Sequence, residues 1–477
     1  SPILIRLKPM FNYATSMTTS KHHSGYILVA LIIFGAMLIM VIGAIVSLLI
    51  VQHRSIQRSV ASESSLQIAE AGANYYRWVL AHDPENYTGA DQDYYNSNGD
   101  NIGHYNVVIT PPSDGSTVVT IASTGWTHDF PNLQRTLRVR YGKPSYAEYA
   151  FLTNSNVWFG PDEEVHGRLH SNGGIRMDGI VDSLTTSIKE TYICGPEHGC
   201  ANEEKPGIWG DGEDPALWSF PIADAIDFDS ITLDFEDMET AADEDGVLFD
   251  NIGGKGVHIV FNSNGTFTAY KVTALKNNVW GHNSTSWTYE SNDIKTETTI
   301  SGYVNHALPA NGIIFVDDQT WVSGQVAGRV TVAAAHLPDS DGIYRDIIIH
   351  DDITYYPDRA SGAVLGLMAQ QDILVPLYSP TDLVVDAALL AQNGHVMRYY
   401  YPKSYYPTDA IKTRIETYGT LVTNALWTWS WVDGSGTITS GYRNTSTNYD
   451  PNLYYAPPPY FPTQDDYTFI SWEEVNQ

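Results

Sequence analysis

Residues 26 to 51, YILVALIIFGAMLIMVIGAIVSLLIV, contain no charged side chain, and Ser47 is their one strongly polar residue. As an α-helix this run is about 39 Å long at 1.5 Å per residue, more than the roughly 30 Å hydrocarbon layer of a bilayer, so it can span with some tilt. A cleavable secretory signal has an apolar region of about 7 to 15 residues closed by small residues of the A-x-A kind. Neither feature is present, which removes the reading as a discarded export signal. Lys21 on one side and Arg54 and Arg58 on the other nearly cancel under the positive-inside rule, so the run does not set its own orientation. The first residue is Ser1, and SPILIRLKPMFNYATS is unlike the remainder of the chain; Met17 is the expected start, with residues 1–16 as upstream readthrough.

The helix is expected to continue beyond the apolar run. No proline occurs between Gln52 and Ala81, and Leu66, Ala69, Ala73, Tyr76 and Leu80 recur at three- and four-residue steps along one face. Glu63, Gln67, Glu70 and Arg77 fall on the other side, and Asp83-Pro84 stops the helix after about His82. The whole rod, from Tyr26, is roughly 84 Å long.

SGYILVALIIFGAML, with AEAGANYYRW downstream, resembles the PilX-type N-terminal segment of type IV pilus assembly proteins. The resemblance implies a leader cut after Gly25, a mature chain beginning at Tyr26, and a long first helix that anchors the subunit. Most major pilins carry glutamate at mature position five, to pair with a neighbour's terminal amine; here that position is Ala30. An amine buried among packed helices without a counter-ion is costly. The departure therefore implies a minor, tip or initiating subunit rather than the repeating body of a filament. Glu70, and His170, Asn172 and Gly173 within LHSNGG, stand as motif positions of the same resemblance. It also implies pilin-like subunits, the pilus assembly machinery, prepilin peptidase and the lipid bilayer as partners.

The rest of the chain reads as mainly β, giving an α+β fold class. Its 38 Gly, 24 Pro and 31 Tyr fit many short strands and turns. DPENYTGADQDYYNSNGDNIG, residues 83–103, is turn-forming; HYNVVIT, STVVTIAST and QRTLRVRYG alternate as half-buried strands and predict a small antiparallel sheet at 104–142. Further on, NGIIFVDDQTWVSG, GRVTVAAAH, RDIIIHDDITY, VLGLMAQQDILVP and LVVDAALLAQNGH recur at steps of about 16 to 20 residues. This predicts a β-solenoid, whose coils bury a face only by stacking, ahead of a β-sandwich as the alternative. NVWFGPDEEVHGRLHSNGGI, residues 156–175, reads as one more coil set apart from the others, with 184–300 as an inserted α/β segment. That segment holds a helical patch around DSITLDFEDMETAADEDG and a hairpin turned at Asn264-Gly265. The expected organisation is leader and upstream segment 1–25, helix 26–82 (transmembrane 26–51), sheet region 83–145, solenoid-like body 146–400, and an aromatic and Pro-rich closure 401–477. The body and closure resemble an uncharacterised β-rich domain found behind PilX-type helices.

Chemistry is sparse. The chain has no G-x-S-x-G elbow, H-E-x-x-H, P-loop or G-x-G-x-x-G after a strand, so an enzyme of a familiar kind is not expected. With 26 Lys+Arg against 55 Asp+Glu, the charge of -29 repels phosphate backbones, and nucleic acid is excluded as a partner. Cys194 and Cys200 close CGPEHGC, which suits a local disulfide or half of a metal site; with His198 alone between them the disulfide is preferred, and two unlinked thiols is the third reading. His166, Arg168 and His170 alternate as if on one strand face, their histidines about 13 Å apart and so unable to share one ion. DEDG at 243–246 and DSDG at 339–342 are read as turns, with calcium as their second reading; no other cofactor is expected. Trp427, Trp429 and Trp431 alternate on one strand face, core if covered and a sugar-stacking or adhesive platform if not. The preferred function is a non-enzymatic pilin-like minor subunit in the cytoplasmic (inner) membrane of a bacterium, single-pass, with an extracytoplasmic β-rich domain for assembly, tip or adhesion roles. Its rival is a membrane-anchored β-solenoid that binds or modifies envelope polysaccharide.

Overall fold

The structure is a computed structural model and describes residues 24–113, 116–222, 225–226, 228, 231–433, 437–463 and 467–475. Met17 and the other residues before Ser24 lie outside the described residues. The first helix runs Ser24–His82, about 88 Å. Its N-terminal half contains a stretch of mean hydropathy 3.0, of which 0% is buried. From Ala61 onward one face is covered: Ala61, Ser65, Ile68, Ala69, Ala73, Tyr76 and Leu80 are buried. Leu66, expected on this face, is only half-buried, and Ile68 takes the position because it lies directly over the sheet.

That sheet is antiparallel, in the order Ala90–Tyr95, Asn101–Thr110, Val118–Thr127, Arg135–Gly142 and Thr468–Val475. It is wider than the sequence suggests at both edges. Residues 83–103, read as turns, supply the edge strand Ala90–Tyr95, and the expected C-terminal closure returns its last strand to pair with Arg135–Gly142. Alternation alone did not find the first of these, because ADQDYY leaves both faces largely in water. The helix and sheet meet at glycine. A Cβ on Gly125 would stand 2.4 Å from both Ala69 N and Ser65 O, and one on Gly72 would stand 2.5 Å from Ser123 Oγ. Backbone therefore lies directly on backbone, and Ile68, Tyr76 and Leu80 close around the seam with Tyr105, Val107, Ile121 and Val139.

After Ser145 the pairing turns parallel. One ladder joins Val247–Phe249, Ile313–Val316, Arg329–Ala334, Val364–Ala369, Asp382–Ala391 and Ile411–Thr423. It then continues onto Phe151–Thr153, Leu169–Ser171, Thr185–Ser187 and Trp218–Ser219. A second joins Val257–Asn262, Thr320–Val326, Ile347–Tyr355, Ile373–Leu374, Val396–Met397 and Trp427–Thr428. A third joins Asp382–Ala391, Ile411–Thr423, Ile438–Tyr449, Glu163–His166 and Ile180–Val181. Register puts Ile314, Val332, Leu367, Leu389, Leu421 and Phe151 in one inward row of the core. The adjacent outward row, Phe315, Ala333, Met368, Leu390, Val422 and Leu152, is covered by the helix Ile231–Glu244 through Phe235 and Met238, and by Leu453 and Phe461. Burial on both faces is why these strands read as unbroken apolar runs rather than alternating ones.

Three expectations about this region need correction. The segment 156–175 is not set apart, because its strand Glu163–His166 pairs with Ile438–Tyr449 and its strand Leu169–Ser171 with Phe151–Thr153. Residues 184–300 are not outside the stack: Thr185–Ser187 and Trp218–Ser219 extend one end, while Val247–Phe249 and Val257–Asn262 form the other. The boundary at 401 divides the ladders, since Ile411–Thr423 pairs on both sides. The in-register residues Ile313, Thr331, Gly366, Ala388 and Thr420 are unevenly spaced in sequence, because loops leave the stack between strands. Uneven steps hid the pairing order from a search for a fixed period.

The seam makes a direct prediction. Gly125→Val places a branched side chain into the helix backbone and should cost at least the ~1–3 kcal/mol typical of overpacking. In detergent, limited proteolysis should then release the first helix and its sheet earlier than in the unaltered protein, while the parallel body resists as before.

Candidate functional site

The first candidate surface is the uncovered half of the first helix. Tyr26 is 81% exposed, Phe34 and Met40 are nearly as bare, and Ala30 is exposed among them. Gly25 lies in the same helix, so the expected cut would fall at its extreme N-terminal turn. Glu70 is half-buried further along, on the covered part of the helix.

His170, Asn172 and Gly173 come together at a corner of the parallel stack. His170 Nδ1 is 2.9 Å from Thr186 Oγ1, and its Nε2 is 3.0 Å from Asn172 Oδ1. Asn172 donates to Asn154 Oδ1 at 2.7 Å, and Asn154 donates to Asn424 Oδ1 at 2.7 Å, so three asparagines far apart in the chain form a column. Gly173 is required because a Cβ there would lie 2.5 Å from Asn156 N. Burial holds the His170 imidazole below its ordinary pKa, and every polar atom in the cluster is used internally. These residues fasten neighbouring parallel strands to one another. The histidine trio does not share a strand face: Gly167, at φ +130°, turns the chain between Glu163–His166 and Leu169–Ser171. His166 instead meets Asp182 and Arg168 meets Glu148.

Of the two acidic stretches, DEDG begins in the last turn of the helix Ile231–Glu244, and DSDG is tied into side-chain contacts. Asp341 pairs with His336, which also contacts Asp317, and Ile343 N–H donates to Asp341. Among the described residues no group of three or more His, Cys, Asp or Glu side chains is placed to hold a metal ion. Ser323 Oγ, 3.0 Å from His258 Nε2, and Glu297 Oε2, 2.8 Å from His258 Nδ1, follow the order of an acyl-transfer triad. Ser323 and His258 are only 7% and 5% exposed, however, so a substrate carbonyl has no path to the hydroxyl. The chain of bonds ties three strands together.

A cleft of about 910 Å3 opens where the stack, the cysteine loop and the tryptophan segment meet. Cys194 and Cys200 are disulfide-bonded, and residues 196–199 of their loop form one wall. Arg176 pins that wall, donating from Nη1 to the His198 carbonyl at 2.7 Å and from Nε to Asp178 Oδ2 at 2.7 Å. Its guanidinium lies 4.3 Å from the Trp158 ring centre and 5.1 Å from that of Trp209. Trp158, Trp427 and Trp431 supply aromatic lining. The three alternating tryptophans do not act as one strand face: Trp427 and Trp429 enter the main core, while Trp431, beyond the break between Trp427–Thr428 and Ser430–Val432, packs against Met397 and Leu374 on another side. Glu163 also lines the cleft, with its Oε2 accepting from Gly160 N–H at 2.8 Å, and burial pushes its carboxyl up to about 8. Sequence reasoning missed this cleft because its walls come from segments far apart in the chain.

No protein-family model matches the chain. No curated protein matches it either. Among solved structures it is similar to the crystal structure of the competence-associated pilin ComZ from Thermus thermophilus, at 11% identity and a TM-score of 0.29, over 87% of this chain and 97% of that one. That likeness is too slight to carry an argument about this chain.

Several buried carboxyls give the body a pH signature. Burial lifts Glu163 to about 8, Glu290 to about 7 and Asp346 to about 7. A carboxyl raised in the folded state binds protons that the unfolded state has already lost, so its contribution is full below the ordinary carboxylate range and disappears as pH rises through the folded value. His170, His198 and His350, lowered by burial, act oppositely, but only up to the ordinary imidazole range near 6.5. Between about pH 7 and 9 the carboxyls therefore dominate. Thermal melts should show Tm falling across that window, and Glu290→Gln should flatten the slope by removing one titrating group held by Tyr401 and the Asn292 N–H.

Proposed function

We propose that the chain is a non-enzymatic, pilin-like minor subunit of a type IV pilus or related assembly, inserted in the cytoplasmic membrane by its first helix. The observation that carries this reading is the division of one unbroken helix into two halves of opposite environment. The apolar half is bare over more than the thickness of a bilayer, and the following half is seated on an antiparallel sheet. A plain bitopic anchor needs no such continuation, whereas a subunit that hands its rod from lipid to neighbouring helices does. Ala30 in place of glutamate supports a minor, tip or initiating position, because a terminal amine at Tyr26 would have no partner of its own kind to neutralise it.

The parallel body is, in this reading, a β-solenoid displayed outside the cytoplasm for assembly or adhesion. Three in-register ladders with stacked inward rows and an asparagine column support that architecture. The strongly acidic composition supports an aqueous, non-nucleic-acid setting. Other pilin-like subunits, the assembly machinery and prepilin peptidase are the partners this role requires.

Intact-mass measurement on protein extracted from membranes tests the proposal. The expected first residue is Tyr26, with the protein resisting carbonate extraction, and Gly25→Val should retain the leader. An uncut N-terminus ahead of Gly25 in the unaltered protein, or release by carbonate, would overturn it.

A further inference from the structure

The cleft beside the disulfide loop continues outward as an aromatic track. Trp431 at its edge lies 6.1 Å from Tyr400, Tyr400 lies 5.7 Å from Trp287, and Trp287 stacks on Trp280 at 5.6 Å. Trp287 is 48% exposed and neighbouring Tyr289 64%, on the hairpin Val279–His282 and Trp287–Glu290. Trp280, Tyr400 and Trp431 are half-buried beside them, and aromatics exposed on such a contiguous base mark a surface built to be covered. The cleft itself, at about 910 Å3, falls in the roughly 300–1,000 Å3 range of ligand pockets.

Its polar groups describe the ligand. Arg176 is held in place by Asp178, the His198 carbonyl and two indole faces, which fixes the guanidinium along the cleft wall. Asp178 is neutralised by that same arginine and by the Trp158 N–H at 2.8 Å. The Glu163 carboxyl, pushed up to about 8, accepts from the Gly160 N–H and in its protonated form can also donate. Flat aromatic faces beside hydrogen-bonding side chains suit a ring that carries hydroxyls on its edge and C–H bonds on its face. A polyanion meets the carboxylates of a chain of charge -29, with Glu197 and Asp433 among the residues that line the cleft.

We propose that the Trp158–Trp427–Trp431 cleft and the Tyr400–Trp287 track outside it bind a neutral pyranosyl oligosaccharide. This does not depend on the pilin-like reading, since leader processing and glycan binding are measured separately. The test is titration of the full chain in detergent, followed by tryptophan fluorescence, with cellohexaose, chitohexaose and maltohexaose, and with hexagalacturonate and hexalysine as charged counter-probes. At least one neutral hexasaccharide should give saturable binding, and Trp431→Ala should weaken it tenfold or more. Trp287→Ala, on the exposed hairpin where folding is not at risk, should weaken it several-fold with an unchanged Tm. Reducing the Cys194–Cys200 bond should also weaken binding by freeing the wall. Absence of binding by all three neutral probes at millimolar concentration overturns the proposal. So does unaltered binding by Trp287→Ala together with Trp431→Ala, or preferential binding of either charged probe.

Discussion

The contact of the first helix with the antiparallel sheet decides what this molecule can be, because only there does the lipid-compatible rod acquire a water-soluble partner. Ser65 and Ala69 present bare backbone to Gly125, and Gly72 lets Ser123 and Tyr105 approach the helix in return. Close approach brings Ile68, Tyr76 and Leu80 into full burial, each contributing about 1.5–3 kcal/mol. Small residues at the seam and large ones around it lock the rotation of the helix. The direction in which the bare half points is thereby fixed relative to everything attached to the sheet.

The parallel body solves a different problem. No strand of its first ladder buries both faces by itself, and stability comes from repeating the same inward residue on the next strand and covering the outward row with the helix Ile231–Glu244. Corners are held by side-chain amides and hydroxyls, of which Asn424, Asn154 and Asn172 form the clearest column. The cleft arises where this regularity ends. The disulfide loop, the Trp427–Val432 turn and the hairpin around Trp287 all leave the stack on neighbouring sides, and the ligand-binding surface is assembled from these departures.

Much of this was legible in the sequence. The charge-free run, the absence of proline up to Ala81 and the stop at Asp83-Pro84 define the helix, because each acts locally. The hairpin joining Val257–Asn262 to Thr266–Leu275 was legible for the same reason, Gly265 taking the left-handed conformation its turn requires. Stack order was not legible. Nothing near Phe151 states that it will pair with Leu421, and nothing in 184–300 states that its two halves will seat at opposite ends of one stack. The cleft was hidden likewise, since Trp158, His198 and Trp431 share no local pattern. His170, Asn172 and Gly173 were visible as a motif, but whether they carry chemistry or fasten a corner depends on Thr186 and Asn154, which only folding brings near.

One topological fact has mechanical weight. The chain leaves the antiparallel sheet at Arg135–Gly142, builds the entire parallel body, and comes back as Thr468–Val475 on the adjacent position, fastened by Arg138 to Glu473 at 2.8 Å and by Arg135 to Glu474. Entry and exit are thus side by side, so tension applied to the distal end is divided between two neighbouring strands and transmitted to the rod through their shared rungs in shear, the geometry in which a β-ladder yields last. A body grafted between two such strands is also interchangeable in principle, since any module whose ends lie about one strand spacing apart, roughly 4.8 Å, fits the same socket.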